Sequence, residues 1–151
     1  MTRVYRRSLP YSTIVISLTG VVTSGLGQGA YFMSLPWVQD AVRRLSGFTP
    51  YPGTLNIRLD ADAVRTWGQA LTSKHFEWIS PEVFRSQSLT PCGARLFPVV
   101  VGADVEAAVI VPDVTRYGDD LLELIAAVHL RSRLGLRDDD RVTLRLRSGP
   151  S

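Results

Sequence analysis

Thr54 and Asn56 are the first residues whose types and spacing suggest chemistry. They stand two apart in "PGTLN", at the predicted start of a strand, so both side chains should emerge on the same face of a sheet. A hydroxyl and an amide oxygen are hard ligands that suit Mg²⁺, which takes its remaining oxygens from water and nucleotide phosphates. A pair that caps the preceding turn would show the same pattern. The spacing alone therefore leaves both interpretations open.

A glycine-rich segment, "SGLGQGA", precedes this pair and raises a similar question. Gly25, Gly27 and Gly29 would allow backbone N–H groups to approach phosphates closely, but the same spacing is typical of a hairpin turn. The segment lacks the lysine pattern of a P-loop, and its third glycine comes one residue too early for a dinucleotide fingerprint. Taken alone, the glycines do not separate a turn from a phosphate cradle.

Glu123 is the third candidate, because it is the only acidic residue in the apolar run from Leu121 to Ala127. A carboxylate in this position either faces solvent from an amphipathic element or orients a hydroxyl group as a general base. The single cysteine, Cys92, forms no internal disulfide, which indicates a reducing compartment such as the cytoplasm.

The elements that must position these residues are mostly short strands. Alternating or β-branched apolar residues predict strands over 13–22, 55–59, 94–102, 105–112 and 142–146. A helix is predicted to begin at Pro36 and to stop at Gly47. The segment from Asp119 to Leu136 suits either a helix or a buried strand followed by a short helix at 130–134. These elements indicate a mainly β, barrel-like domain or an α+β domain.

Length and composition favour one domain. The chain has 151 residues and a net charge of +3, and no stretch approaches the roughly 18–20 apolar residues that span a membrane. Residues 1–12 are predicted as a short basic leader, 13–148 as a single barrel domain, and 61–93 as an irregular insertion within it. The arginines are spread without interleaved aromatic residues, so we expect no nucleic acid partner and no membrane association.

Three blocks taken together, "SGLGQGAYFMSLP", "GFTPYPGTLNIRLD" and "AAVIVPDVTRYGDDLLELIAAVHLRSRLGLRDDDRV", resemble the archaeal-type CTP-dependent riboflavin kinases. The resemblance covers about Thr19 to Leu146. It implies a six-stranded cradle-loop β-barrel and a Mg²⁺-assisted transfer of the γ-phosphoryl group of CTP to the 5′-hydroxyl of riboflavin, which gives FMN and CDP. The implied partners are riboflavin or FMN and CTP or CDP. Separately, we expect a cytoplasmic protein and a monomer.

The resemblance also implies roles for individual residues. Thr54 and Asn56 would hold Mg²⁺, Thr115 and Glu123 would contact the flavin, and Glu123 would be the catalytic residue. Two segments would bind the nucleotide: Gly25, Leu26, Gly27, Gln28, Gly29 and Ala30, and then Val128, His129, Leu130 and Arg131.

A non-catalytic barrel that binds flavin or DNA as a regulator is the alternative function. Related regulatory barrels and the arginine-rich surface, which includes Arg3, Arg6 and Arg7, motivate this alternative. It predicts binding that is indifferent to CTP and Mg²⁺, whereas a kinase requires both.

Overall fold

Six antiparallel strands close into a barrel. The computed structural model describes residues 14–24, 33–72, 94–112 and 120–148. Around the barrel the strands follow the order β1-β2-β5-β4-β3-β6, so the first strand pairs with both the second and the last. The strands are β1 (Ile14–Thr23), β2 (Leu55–Leu59), β3 (Ala94–Val101), β4 (Val105–Pro112), β5 (Leu121–Ile125) and β6 (Arg141–Ser148).

The barrel interior is built by the two-residue period of the strands. On β4, Val105, Ala107 and Val109 are buried in the main core, and Val142, Leu144 and Leu146 do the same on β6. Alternate residues therefore point outward. This alternation makes the outer face of the barrel available for polar side chains.

Two helices close the ends of the barrel. Helix α2 (Ala61–Thr72) follows β2 and places Trp67 against Phe97 of β3, with ring centroids 5.0 Å apart and planes at 68°. Helix α3 (Leu130–Leu134) lies at the opposite end, where Leu130 joins the same core. The strand ends that carry Thr23 and Leu55 lie on the α3 side.

Helix α1 (Pro36–Ser46) covers part of the outer face. It begins with proline in its first turn and ends at Gly47, whose φ of 85° is the left-handed conformation that glycine adopts without strain. Its apolar side packs on outward residues of β3, β4 and β5 in a second core. The residues that form this second core are Met33, Val38, Ala41, Val42, Leu96, Ala108, Ile110 and Ile125.

The structure confirms the mainly β, closed six-stranded barrel and the helix from Pro36 to Gly47. The ambiguous segment forms a strand and then the short helix at 130–134. The prediction of an irregular insertion over 61–93 was wrong for its first part, because 61–72 is helical; residues 73–93 lie outside the described residues. Within the described ranges, no helix is long and apolar enough to cross a membrane.

Candidate functional site

A row of side chains crosses the outer face of the barrel near the α3 end. In the strand register Asn56 of β2 lies opposite Thr23 of β1 on one side and Glu123 of β5 on the other. Glu123 in turn lies opposite Ile110 of β4, which is covered by α1. Directly opposed residues have Cα atoms about 4.5–5.5 Å apart. The structure therefore brings Asn56 and Glu123, 67 positions apart in sequence, into contact distance.

Asn56 is a buried polar residue with an unsatisfied oxygen. It is 9% exposed, the only polar or charged residue among the described ones that is buried. Its Oδ1 atom accepts no hydrogen bond in the described part of the chain. A buried amide oxygen without a partner costs free energy, about 1–3 kcal/mol. A ligand that bonds to this oxygen would remove that cost.

Thr54 and Glu123 both lie beside Asn56, Thr54 two residues before it and Glu123 opposite it on β5. Burial raises the pKa of the Glu123 carboxyl above its ordinary value of 4.5, and the hydrogen bond with the Thr54 side chain opposes that rise. The Thr54 hydroxyl oxygen carries lone pairs that can act as acceptors. Thr54, Asn56 and Glu123, all predicted from the sequence, are therefore brought together.

The second predicted segment, 128–131, lies at the start of α3 next to this row. The Arg131 guanidinium reaches the backbone oxygen of Thr23 at 3.5 Å, and Thr23 is the β1 neighbour of Asn56. His129 is the N-cap residue of α3, and its Nδ1 lies 2.6 Å from Oγ of Ser132. The structure thus brings the segment to the row through Arg131.

Asp138 is a residue that sequence analysis missed. Its carboxylate accepts hydrogen bonds from Arg131 at 2.7 Å and from Ser24 at 2.9 Å. These bonds lower the pKa of Asp138 below its ordinary value of 3.8, and the bond from Arg131 has the larger effect. The carboxylate therefore joins the start of α3 to the end of β1. The run "RDDDR" predicts only a turn, and nothing in its spacing indicates a bond to Ser24, 114 residues away.

Tyr51 is the second residue that sequence analysis missed. Its ring lies beside that of His129, with centroids 4.9 Å apart and planes at 38°. In the sequence, Tyr51 is one of several turn residues in "TPYPG", so only its aromatic type set it apart.

The other predicted site residues fall outside the described residues. These are Gly25, Leu26, Gly27, Gln28, Gly29 and Ala30 in the glycine-rich segment, and Thr115. Among the residues that are described, no three His, Cys, Asp or Glu side chains are grouped to hold a metal ion.

Comparison with known proteins shows which family the chain belongs to. The sequence model CTP-dep_RFKase, described as a domain of unknown function (DUF120), matches residues 22–146. The chain belongs to this family. The matched range contains all the described site residues, from Thr23 to Asp138.

Curated relatives in the family are named riboflavin kinase. The chain is 38% identical to one from Methanoculleus marisnigri over 86% of its own length, and 41% identical to one from Pyrobaculum calidifontis over 93%. A third, from Halobacterium salinarum, is 40% identical over 87% of the chain. The chain spans 57%, 65% and 57% of the length of these three relatives, respectively.

Proposed function

We propose that this chain is a riboflavin kinase that transfers the γ-phosphoryl group of CTP to the 5′-hydroxyl of riboflavin and releases FMN and CDP. Family membership and the names of the curated relatives support the class of reaction. In this proposal segments 25–30 and 128–131 bind the nucleotide, and Thr115 and Glu123 contact the flavin.

One structural observation carries the proposal: the unsatisfied Oδ1 of Asn56 is buried directly opposite Glu123. Phosphoryl transfer needs charge neutralisation and positioning rather than covalent chemistry from the protein. A buried amide oxygen next to a carboxylate supplies both kinds of group, one to hold a cation and one to orient a hydroxyl.

The residues present fit a magnesium ion. The free oxygen of Asn56 and the lone pairs of Thr54 are neutral, hard donors, and Mg²⁺ is usually held by few protein oxygens together with water and phosphate. When bound, the ion would offset negative charge on the phosphate oxygens. Asn56 and Thr54 are therefore the proposed Mg²⁺ ligands.

Glu123 is the proposed catalytic residue. Its pKa is raised by burial, which brings the carboxylate nearer to the working pH and makes it a better proton acceptor. The nearby Thr54 side chain opposes this rise in pKa. Glu123 would orient the 5′-hydroxyl of riboflavin and accept its proton as the new O–P bond forms.

The test is FMN formation from riboflavin with CTP, ATP, GTP or UTP, with and without Mg²⁺. We expect FMN with CTP and Mg²⁺, and little without the metal. Saturable flavin or DNA binding that is indifferent to CTP and Mg²⁺, with no FMN formed from any nucleotide, would favour the non-catalytic regulator instead.

Variants of the two proposed ligands sharpen this test. Asn56→Ala and Thr54→Val should lower kcat at least about 10- to 100-fold, since loss of metal-site groups has effects of this size. Thr54→Ser keeps the hydroxyl and should retain most of the activity. Thr143→Ala is a matched control, because Thr143 is an exposed polar residue on the outer face of β6. Equal activity in Asn56→Ala and Thr143→Ala would contradict the assigned metal site.

A further inference from the structure

Tyr51 is an exposed aromatic residue on the rim of the barrel. It is 43% exposed, and no other large hydrophobic residue whose side chain the structure describes is exposed. A planar ring open to solvent offers a face on which another ring can stack. The contacts of Tyr51 with its neighbours determine whether the position of this ring is fixed.

The backbone that carries Tyr51 is fixed on both sides. Its N–H donates to the backbone oxygen of Ala126 at 2.7 Å, and Ala126 directly follows β5. The preceding residue, Pro50, is buried, and its backbone oxygen accepts a hydrogen bond of 3.0 Å from the side chain of Gln39 in α1. The ring is therefore exposed on a rigid support, so its ordering costs little on ligand binding.

His129 supports the ring from one side. The two ring centroids are 4.9 Å apart, and the hydrogen bond between Nδ1 and Ser132 fixes the orientation of the imidazole. Both rings are exposed. Together, Tyr51 and His129 form an aromatic platform.

The platform lies close to the proposed reaction centre. Tyr51 precedes Thr54 by three residues, so their Cα atoms are at most about 11 Å apart. Ala126, which binds the Tyr51 backbone, follows Glu123 by the same number of residues. A molecule whose reacting end sits at Thr54 and Glu123 and whose ring is joined to that end by a sugar or sugar-alcohol chain could reach the platform.

We propose that Tyr51, supported by His129, stacks on a planar heteroaromatic ring of a substrate. This inference rests on the proposed function, which supplies two sources of such a ring: the nucleobase of the phosphoryl donor and the isoalloxazine ring of riboflavin. Their shared chemistry is a flat π-system attached through a polar chain to the group that reacts.

Binding of each ring is measured separately on the full chain. Riboflavin binding is followed by flavin fluorescence and CTP binding by calorimetry with Mg²⁺, for the unaltered protein, Tyr51→Ala, Tyr51→Leu and Tyr51→Phe. Tyr51→Ala should weaken one of the two ligands about 5- to 100-fold, the range that base–aromatic stacking supports. Tyr51→Leu should weaken it similarly, and Tyr51→Phe should restore it, because only Phe keeps the ring face.

Ligands without a ring separate stacking from a general disturbance of the site. Inorganic tripolyphosphate and ribitol, measured as competitors, should inhibit Tyr51→Ala and the unaltered protein alike. Arg65→Ala, an exposed change on α2, controls for surface substitutions, and thermal unfolding checks that each variant is folded. KM for the affected substrate should rise more than kcat falls.

Loss of CTP binding assigns the platform to the nucleobase, and loss of riboflavin binding assigns it to the flavin. Unchanged binding of both ligands in Tyr51→Ala would overturn the stacking inference while leaving the proposed function intact. Equal losses of the ringed and the ring-free ligands would overturn it as well. An unaltered protein that binds neither CTP nor riboflavin would overturn the inference and the proposed function together.

Discussion

Asn56 shows how the type of one residue determines what a buried site can hold. A carboxylate in its place would lie directly opposite the half-buried Glu123, and two like charges so close raise each other's pKa and destabilise the fold. A neutral amide offers the same kind of oxygen without a second charge. The cost is one unsatisfied oxygen, which a bound cation would satisfy.

Asp138 gives a prediction about pH at the residue scale. Its pKa is lowered in the folded state, so the bonds to Arg131 and Ser24 stabilise the fold above the ordinary value of 3.8, and this contribution is lost as the pH falls through the lowered value. Asp138→Asn should therefore lower the melting temperature at neutral pH. The difference from the unaltered protein should shrink on acidification to about pH 3.

Thermal unfolding at a series of pH values measures this difference. Asp104→Asn provides the control, since Asp104 is an exposed carboxylate in the β3–β4 turn. A difference between Asp138→Asn and the unaltered protein that stays constant from neutral to acidic pH would contradict the assigned role of the carboxylate.

At the scale of elements, two glycines should respond in opposite ways to the same substitution. Gly68 lies exposed inside α2, and a Cβ atom there would meet no other atom within 4 Å. Alanine favours the helix over glycine by about 0.5–1 kcal/mol. Gly68→Ala should therefore raise the melting temperature by about 1–4 °C.

Gly20 lies in β1 where the backbone of β2 approaches closely. A Cβ atom there would overlap the backbone oxygen of Arg58 and the side chain of Ile57. Gly20→Ala should consequently destabilise the barrel by about 1–3 kcal/mol, as overpacking does. Thermal or denaturant unfolding of the two variants tests both signs, and a stabilised Gly20→Ala protein would contradict the close approach of β1 and β2.

The elements that the sequence predicts well are those with local signals. Pro36 and Gly47 mark the ends of α1, and alternation marks the strands, because both depend on neighbouring residues alone. Helix α2 was missed although Ala63, Trp67 and Ala70 follow a helical period, since Gly68 and several polar residues interrupt the pattern. For the candidate site as well, local signals predict some features and miss others.

Thr54, Asn56 and Glu123 could be named from their types and from the family resemblance. That they meet could not be derived from spacing, because the contact depends on β2 and β5 pairing in one register. The partners of Asp138 and the exposure of Tyr51 depend on how loops from distant parts of the chain pack together. Local patterns carry no information about such contacts.

At the scale of the molecule, closure of the barrel means that ligand binding at the site contributes to the stability of the whole fold. The row from Thr23 to Ile110 crosses four strands, so a ligand bound there contacts several elements that must separate on unfolding. A ligand that binds only the folded state, at 100 times its Kd, stabilises it by about 2.7 kcal/mol. CTP with Mg²⁺ should therefore raise the melting temperature by about 5–10 °C.

Thermal unfolding with each ligand alone and in combination measures this shift. In Asn56→Ala the part of the shift that requires Mg²⁺ should disappear, whereas Thr143→Ala should behave as the unaltered protein does. An equal shift in Asn56→Ala would show that the metal binds elsewhere.

The pairing of β1 with β6 has a consequence for how the barrel can be tethered. Ile14 lies opposite Ser148, so the chain enters and leaves the barrel at neighbouring points. Thr23, beside the site, is at the other end of the ten-residue β1, about 30 Å away. A reporter or second domain fused at either point would therefore begin far from the site. A short linker between those two points would give a circular permutant, with new termini in the exposed turn at 102–104.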